Sequence, residues 1–166
     1  MAEIAILLVF PLLMIGAAFG DAFTYKIPNW LTALMAIMFF PAALYAGMPM
    51  AELGWSVAAG AIVLASCFAL FCFGQFGGGD AKLLTAGALW IGWGALLPFV
   101  VAVAIIGGLL AIIMKAWWMI KLQAEFSNVK GLSEKVKPSI QLPYGIAIAG
   151  GAVATFPHSW LYQALT

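Results

Sequence analysis

The sequence predicts an all-α membrane protein, a polytopic bundle of six transmembrane helices with both termini outside, and three observations carry that expectation. The first is composition: of 166 residues, 66% are hydrophobic before the 18 glycines are added, and only 8% are charged. Soluble domains carry roughly 25% charged residues, and the mean hydropathy here is +1.11. The second is run length. A span needs about 20 apolar residues, so six spans use about 120 positions and leave about 46 for everything else. Residues 1–166 therefore read as a single transmembrane domain. The third is the placement of the lysines, which fixes the count below.

The first span is expected over about 4–24. Its apolar start resembles a secretory signal, but Glu3 precedes it and no lysine comes before Lys26, the opposite of a basic leader, so it reads as retained. Ile27-Pro28-Asn29 ends it, because the residue before a proline is pushed out of the helical region. A second span follows over about 30–46, then Gly47 and Pro49 as turn residues, then a third over about 54–73. From Leu83 to Ile113 almost every residue is apolar. One helix of that length would measure about 46 Å against a hydrocarbon core of about 30 Å, so the chain must fold back, and Gly92-Trp93-Gly94 is the reversal point. This gives a short fourth span over about 80–92 and a fifth over about 95–120. A cytoplasmic loop over 121–141 and a last span over about 142–165 complete the chain. Pro11, Pro41 and Pro98 fall within spans and read as kinks.

With six spans, Lys26, Lys82, Lys121, Lys130, Lys135 and Lys137 fall on one side, and Lys115 snorkels to it. Merging the fourth and fifth spans would put the loop lysines on the wrong side. Trp30, Trp55, Trp90, Trp93, Trp117, Trp118 and Trp160 all fall near expected span ends, where an aromatic belt belongs. A net charge of +1 excludes an ordinary nucleic-acid footprint. Cys67 and Cys72, within an apolar run, read as packing residues rather than a zinc or disulfide site.

Asp21 and Asp80 are the only aspartates, and the topology puts both at the cytoplasmic ends of spans. An acid at membrane depth costs about 2.5–3.5 kcal/mol on insertion scales and needs a reason. One reading is interfacial: Asp80 as a helix N-cap, Asp21 as an edge charge beside Lys26. The other is a paired-carboxylate site, one group protonated and the other ionised to activate water. Gly77-Gly78-Gly79 directly ahead of Asp80 lets an extended backbone pass close to the acid. A plain turn also explains the glycines, but not why Asp80-Ala81-Lys82 opens a hydrophobic span.

Gly77-Gly78-Gly79-Asp80-Ala81-Lys82 resembles the GxGDxK motif of type IV prepilin peptidases, aspartyl intramembrane proteases that remove prepilin leader peptides. Asp21 followed by Lys26-Ile27-Pro28-Asn29 is similar to the first-aspartate segment of that family, and Pro143-Tyr144-Gly145 to its Pro-aromatic-Gly element. The resemblance implies that Asp21 and Asp80 are the catalytic pair, that Gly77, Gly79 and Lys82 shape the site or meet substrate, and that no metal or organic cofactor is used. It implies a pilin-like precursor with a basic leader and an apolar helix as partner, cut at the cytoplasmic face of the inner membrane. Longer members carry a cytosolic cysteine-rich insertion and also methylate the new pilin N-terminus. This chain resembles the short tight-adherence (Flp-type) form without it, or the archaeal preflagellin peptidases, which argues against methyltransferase activity.

A helix N-terminus favours an anion and a C-terminus disfavours one, which makes Asp80 the ionised base and Asp21 the protonated partner. Gln75, Tyr144 and Thr24 are candidates to line the site. Glu125 and Glu134 read as a solvated loop face, and His158 as an interfacial residue far from the aspartates. A reading from another class is a small proton- or cation-coupled transporter using the same two acids. Having both on one side, without related halves, argues against it.

Overall fold

A computed structural model describes residues 1–126 and 142–166. Among the described residues every regular element is helical: α1 (Ala2–Thr24), α2 (Asn29–Tyr45), α3 (Met50–Cys72), α4 (Gly78–Ile91), α5 (Leu96–Phe126), α6 (Tyr144–Thr155), a 3-10 turn (Phe156–His158) and α7 (Trp160–Leu165). Three helical stretches, Glu3–Thr24, Met50–Cys72 and Leu96–Lys121, are long and apolar enough to cross a membrane, and α2 is apolar but shorter. Phe19, Phe23, Ile37, Leu64, Phe68, Leu97, Ile105 and Ile112 all stand on the exterior. So much exposed apolar surface suits lipid contact rather than water, as in an integral membrane protein.

At 14 residues, α4 measures about 21 Å, short of the hydrocarbon thickness of about 30 Å. Its position makes that length workable, because α4 lies at the centre and packs against α1, α2, α3, α5, α6 and α7. Its Ala81, Leu83 and the continuous run Ala86–Ile91 are buried, as expected of a helix that is apolar all round. Small residues bring the neighbours in. A Cβ on Gly87 would lie 2.9 Å from both Met14 Cε and Phe99 Cζ, the close helix approach that lipid-embedded bundles rely on.

The short central helix also corrects the expected aromatic belt. Trp90 is near the end of α4, yet that end lies inside the bundle. The ring is 1% exposed, stacks on Phe10 at 5.2 Å, meets Phe39 edge-on at 5.9 Å, and donates its indole N–H to the Met35 carbonyl at 2.8 Å. It is a core anchor. Trp30, Trp55, Trp93 and Trp117 are exposed, and Trp55 packs on Trp93 at 5.4 Å.

The chain reverses between α4 and α5 at Gly92, whose φ of 76° and ψ of 175° are nearly closed to other residues. A Cβ there would also sit 3.1 Å from Ser56 Oγ. Gly92→Ala is expected to destabilise the fold by about 1–3 kcal/mol, read as a lowered thermal midpoint in tryptophan fluorescence of the detergent-solubilised protein. An unchanged midpoint would remove the strain argument.

Three other features differ from expectation. Pro98 is the third residue of α5, in the first turn, where a missing N–H leaves no helix bond unmade, so it is not a kink. Helix α5 continues past Ile120 to Phe126, so the start of the expected loop is helical; polarity alone does not end a helix once it has left the bilayer. Lys121 there places its ammonium 5.3 Å over the Trp117 ring. The remainder of that loop, with Lys130, Glu134, Lys135 and Lys137, lies outside the described residues. Finally, the expected last span breaks after Thr155. Pro157 sits in the 3-10 turn, and Ser159 is extended, caps α7 and accepts from the Tyr162 N–H at 3.3 Å. Phe156 turns back onto Phe10 at 4.8 Å and closes the core at that end.

Candidate active site

Asp21 falls on the stripe Phe10, Met14, Ala17 and Asp21 of α1, a spacing of four, three and four residues that puts all of them on one helix face. The whole stripe is buried, and Asp21 is only 5% exposed. A carboxyl so placed needs a hydrogen-bond partner. Gly145, the second residue of α6, donates its backbone N–H to Asp21 Oδ2 at 2.7 Å. The first N–H groups of a helix have no partner within it, so α6 presents this donor because it begins here. Pro143, the N-cap of α6 (φ −73°, ψ 80°), centres an inverse γ-turn in which the Tyr144 N–H donates to the Leu142 carbonyl at 2.9 Å, and the helix starts from that turn.

Gly145 must be glycine for this contact, since a Cβ would lie 2.9 Å from both Cβ and Oδ2 of Asp21. Pro143-Tyr144-Gly145 thus supplies the donor to the first acid, a contact with no local signal in the sequence. The assignment of roles from helix ends changes accordingly. Asp21 sits near the C-terminus of its own helix but also at the N-terminus of α6, so helix dipoles no longer separate the two acids.

Asp80 is the third residue of α4, after the extended N-cap Gly77 (φ −75°, ψ 139°). Asp21, near the C-terminal end of α1, and Asp80, in the first turn of α4, lie at the same end of the bundle, and the Asp21 charge is felt at Asp80. A Cβ on Gly77 would lie 2.6 Å from Asp80 Oδ2, and one on Gly79 would lie 3.4 Å from Cβ of Ile27. Gly77 thus leaves room for the acid to fold back over the loop, and Gly79 lets the Ile27-Pro28-Asn29 segment close against α4.

Lys82 points elsewhere. Two residues on from Asp80, it lies about 200° round the helix, and its Nζ donates to Asn29 Oδ1 at 2.9 Å. The structure therefore ties the two sequence segments together through Lys82 and Asn29 on the far side of α4. Asn29 was not among the expected site residues, although its place in Ile27-Pro28-Asn29 was a signal for it. Tyr144 meets Phe76 edge-on at 5.8 Å, which roofs the loop before α4. Gln75 and Thr24 are exposed, and the Thr24 hydroxyl donates to the Gly20 carbonyl at 2.7 Å. His158 lies in the 3-10 turn beyond the opposite end of α6 from Gly145.

Two carboxyls that feel each other's charge do not both ionise cheaply, so the pair can hold one proton between them. Such a pair can take a proton from water with one group and give one to a carbonyl oxygen with the other. No curated protein and no solved structure matches the chain. The model of the type IV leader peptidase family matches residues 8–112, a stretch that holds both aspartates and the Gly77–Lys82 run, and the chain belongs to that family of aspartic-type prepilin peptidases.

Proposed function

We propose that the protein cleaves the leader peptide from Flp-type prepilin precursors at the cytoplasmic face of the inner membrane, with Asp21 and Asp80 as its catalytic pair. In this reading the ionised carboxylate takes a proton from the attacking water. The protonated one gives its proton to the carbonyl oxygen as the water oxygen bonds to the carbonyl carbon, and the tetrahedral intermediate then collapses by breaking the C–N bond, with proton transfer to the leaving amine. One observation carries the reading above others. The only two aspartates lie at the same end of the bundle, at the end of α1 and the start of α4, with Asp21 held by Gly145 of a third helix.

Six crossings with both termini outside put Lys26 and Lys82 on the same face as the aspartates, in keeping with the positive-inside rule. A leader rich in basic residues would approach from that face. Co-expression with a Flp-type prepilin, read as a gel shift, tests the function: the precursor should shorten with the wild-type chain and stay full length when either aspartate is replaced. A precursor that remains intact with the wild-type chain overturns it.

Lys82 acts here by holding Asn29 and the start of α2 against α4. Lys82→Met and Asn29→Ala should each slow leader removal by less than about tenfold, and the double variant should be no slower than the worse single one, since both remove one contact. Fully additive losses would show that each residue acts separately.

A further inference from the structure

The two long faces of α4 open onto different spaces. Lys82, Thr85, Ala86 and Leu89 face a groove between α2 and α3. Leu84 faces a cleft of about 460 Å³ where α3 and α5 stand apart, walled by Ser66, Cys67 and Leu70 of α3 and by Leu97 and Val100 of α5. Two observations connect this second cleft with the aspartates. Leu84 is one helical turn beyond Asp80 on the same face of α4, and the thiol of Cys67, in the cleft wall, lies within reach of the Asp80 charge.

The chemistry of the wall narrows the occupant. It carries no charged side chain, and its one hydroxyl, that of Ser66, already donates to the Ile62 carbonyl at 2.8 Å. Apart from the Trp93 indole N–H and the Cys67 thiol, such a surface offers an incoming segment apolar contact. From Ile62 to Leu70 the α3 wall runs about 12 Å, two turns of helix. The groove on the other face has the Lys82 ammonium and Asn29 at its edge, about 200° round α4 from Asp80. The furrow between α1 and α6 is walled by Ile15, Ala18, Phe19 and Ala22, off the stripe that carries Asp21.

We propose that the α3–α5 cleft is the lateral entry from the bilayer for the precursor's apolar helix, which seats two turns there so that the bond just before it reaches Asp80. This rests on the leader-peptidase reading and adds where the substrate's membrane segment sits. Lipid fills the cleft when no precursor is bound, and the helix displaces it.

Filling the cleft tests the assignment. In membranes containing a co-expressed Flp-type prepilin, Ser66→Trp and Leu97→Trp should each slow leader removal by tenfold or more. Ala61→Trp, which fills the α2–α3 groove instead, should leave the rate within about twofold. A second measurement does not depend on turnover: Leu97→Cys, in a Cys67→Ala, Cys72→Ser, Asp80→Asn background, should cross-link to single cysteines stepped along the precursor's helix with a period of three to four. Wild-type rates in both cleft variants, or cross-links from Ala61→Cys in place of Leu97→Cys, would overturn the cleft and leave the peptidase standing. No aspartate-dependent cleavage by the wild-type chain would remove the peptidase reading and the cleft with it.

Discussion

Replacing either aspartate by asparagine is expected to lower the rate of leader removal by at least about a thousandfold, within the range attributed to positioned acid–base groups. Asparagine keeps the shape of the side chain, and at position 21 it keeps an oxygen to accept the Gly145 N–H, so the fold should survive. Tryptophan fluorescence of the purified variants should match the wild type, aided by the core position of Trp90. Because the acids act as one unit, the double variant should be about as slow as either single one. The wild-type rate should follow a bell-shaped pH profile, since activity needs one proton on the pair, and its two limbs belong to the pair rather than to one residue. Leader removal by Asp80→Asn or Asp21→Asn at more than a tenth of the wild-type rate would sink the assignment of the catalytic pair.

Much of this site was legible in the sequence for a physical reason: a chain with few charges shows its functional ones. Asp21 and Asp80 stood out because an acid in an apolar run needs a partner. The glycines before Asp80 stood out because they let the backbone pass close to the acid, although Gly78 and Gly79 turn out to form the first two residues of α4. The reversal at Gly92 followed from the arithmetic of helix length against bilayer thickness. What stayed hidden were contacts between helices distant in sequence. Gly145 meets Asp21 across 124 positions and Asn29 meets Lys82 across 53, and no local periodicity encodes either. Trp90 was misplaced for a related reason. Its position near a helix end suggested the interface, but whether that end reaches the interface depends on where α4 sits among its neighbours. The break at Pro157 was hidden by composition, because the residues around it are as apolar as a continuous span.

Gly145→Ala is expected to be the most damaging change outside the aspartates. The added methyl would lie 2.9 Å from both Cβ and Oδ2 of Asp21, closer than real Cβ contacts allow. Either Asp21 turns away or the start of α6 retreats, and both outcomes lengthen the 2.7 Å bond that fixes the acid. A shift of about 1 Å in a reacting group costs on the order of a hundredfold in rate. The loss should fall on kcat, with KM little changed, because the apolar helix of the precursor is held by the α3–α5 cleft and not by α6. Gly150→Ala, one turn and more along the same helix, supplies the comparison: its methyl would meet the flexible end of Ile106 at 3.2 Å, which can rotate aside, and activity should remain near wild type. Equal kcat in the two alanine variants would mean that Gly145 merely packs α6 against α1 and does not position Asp21.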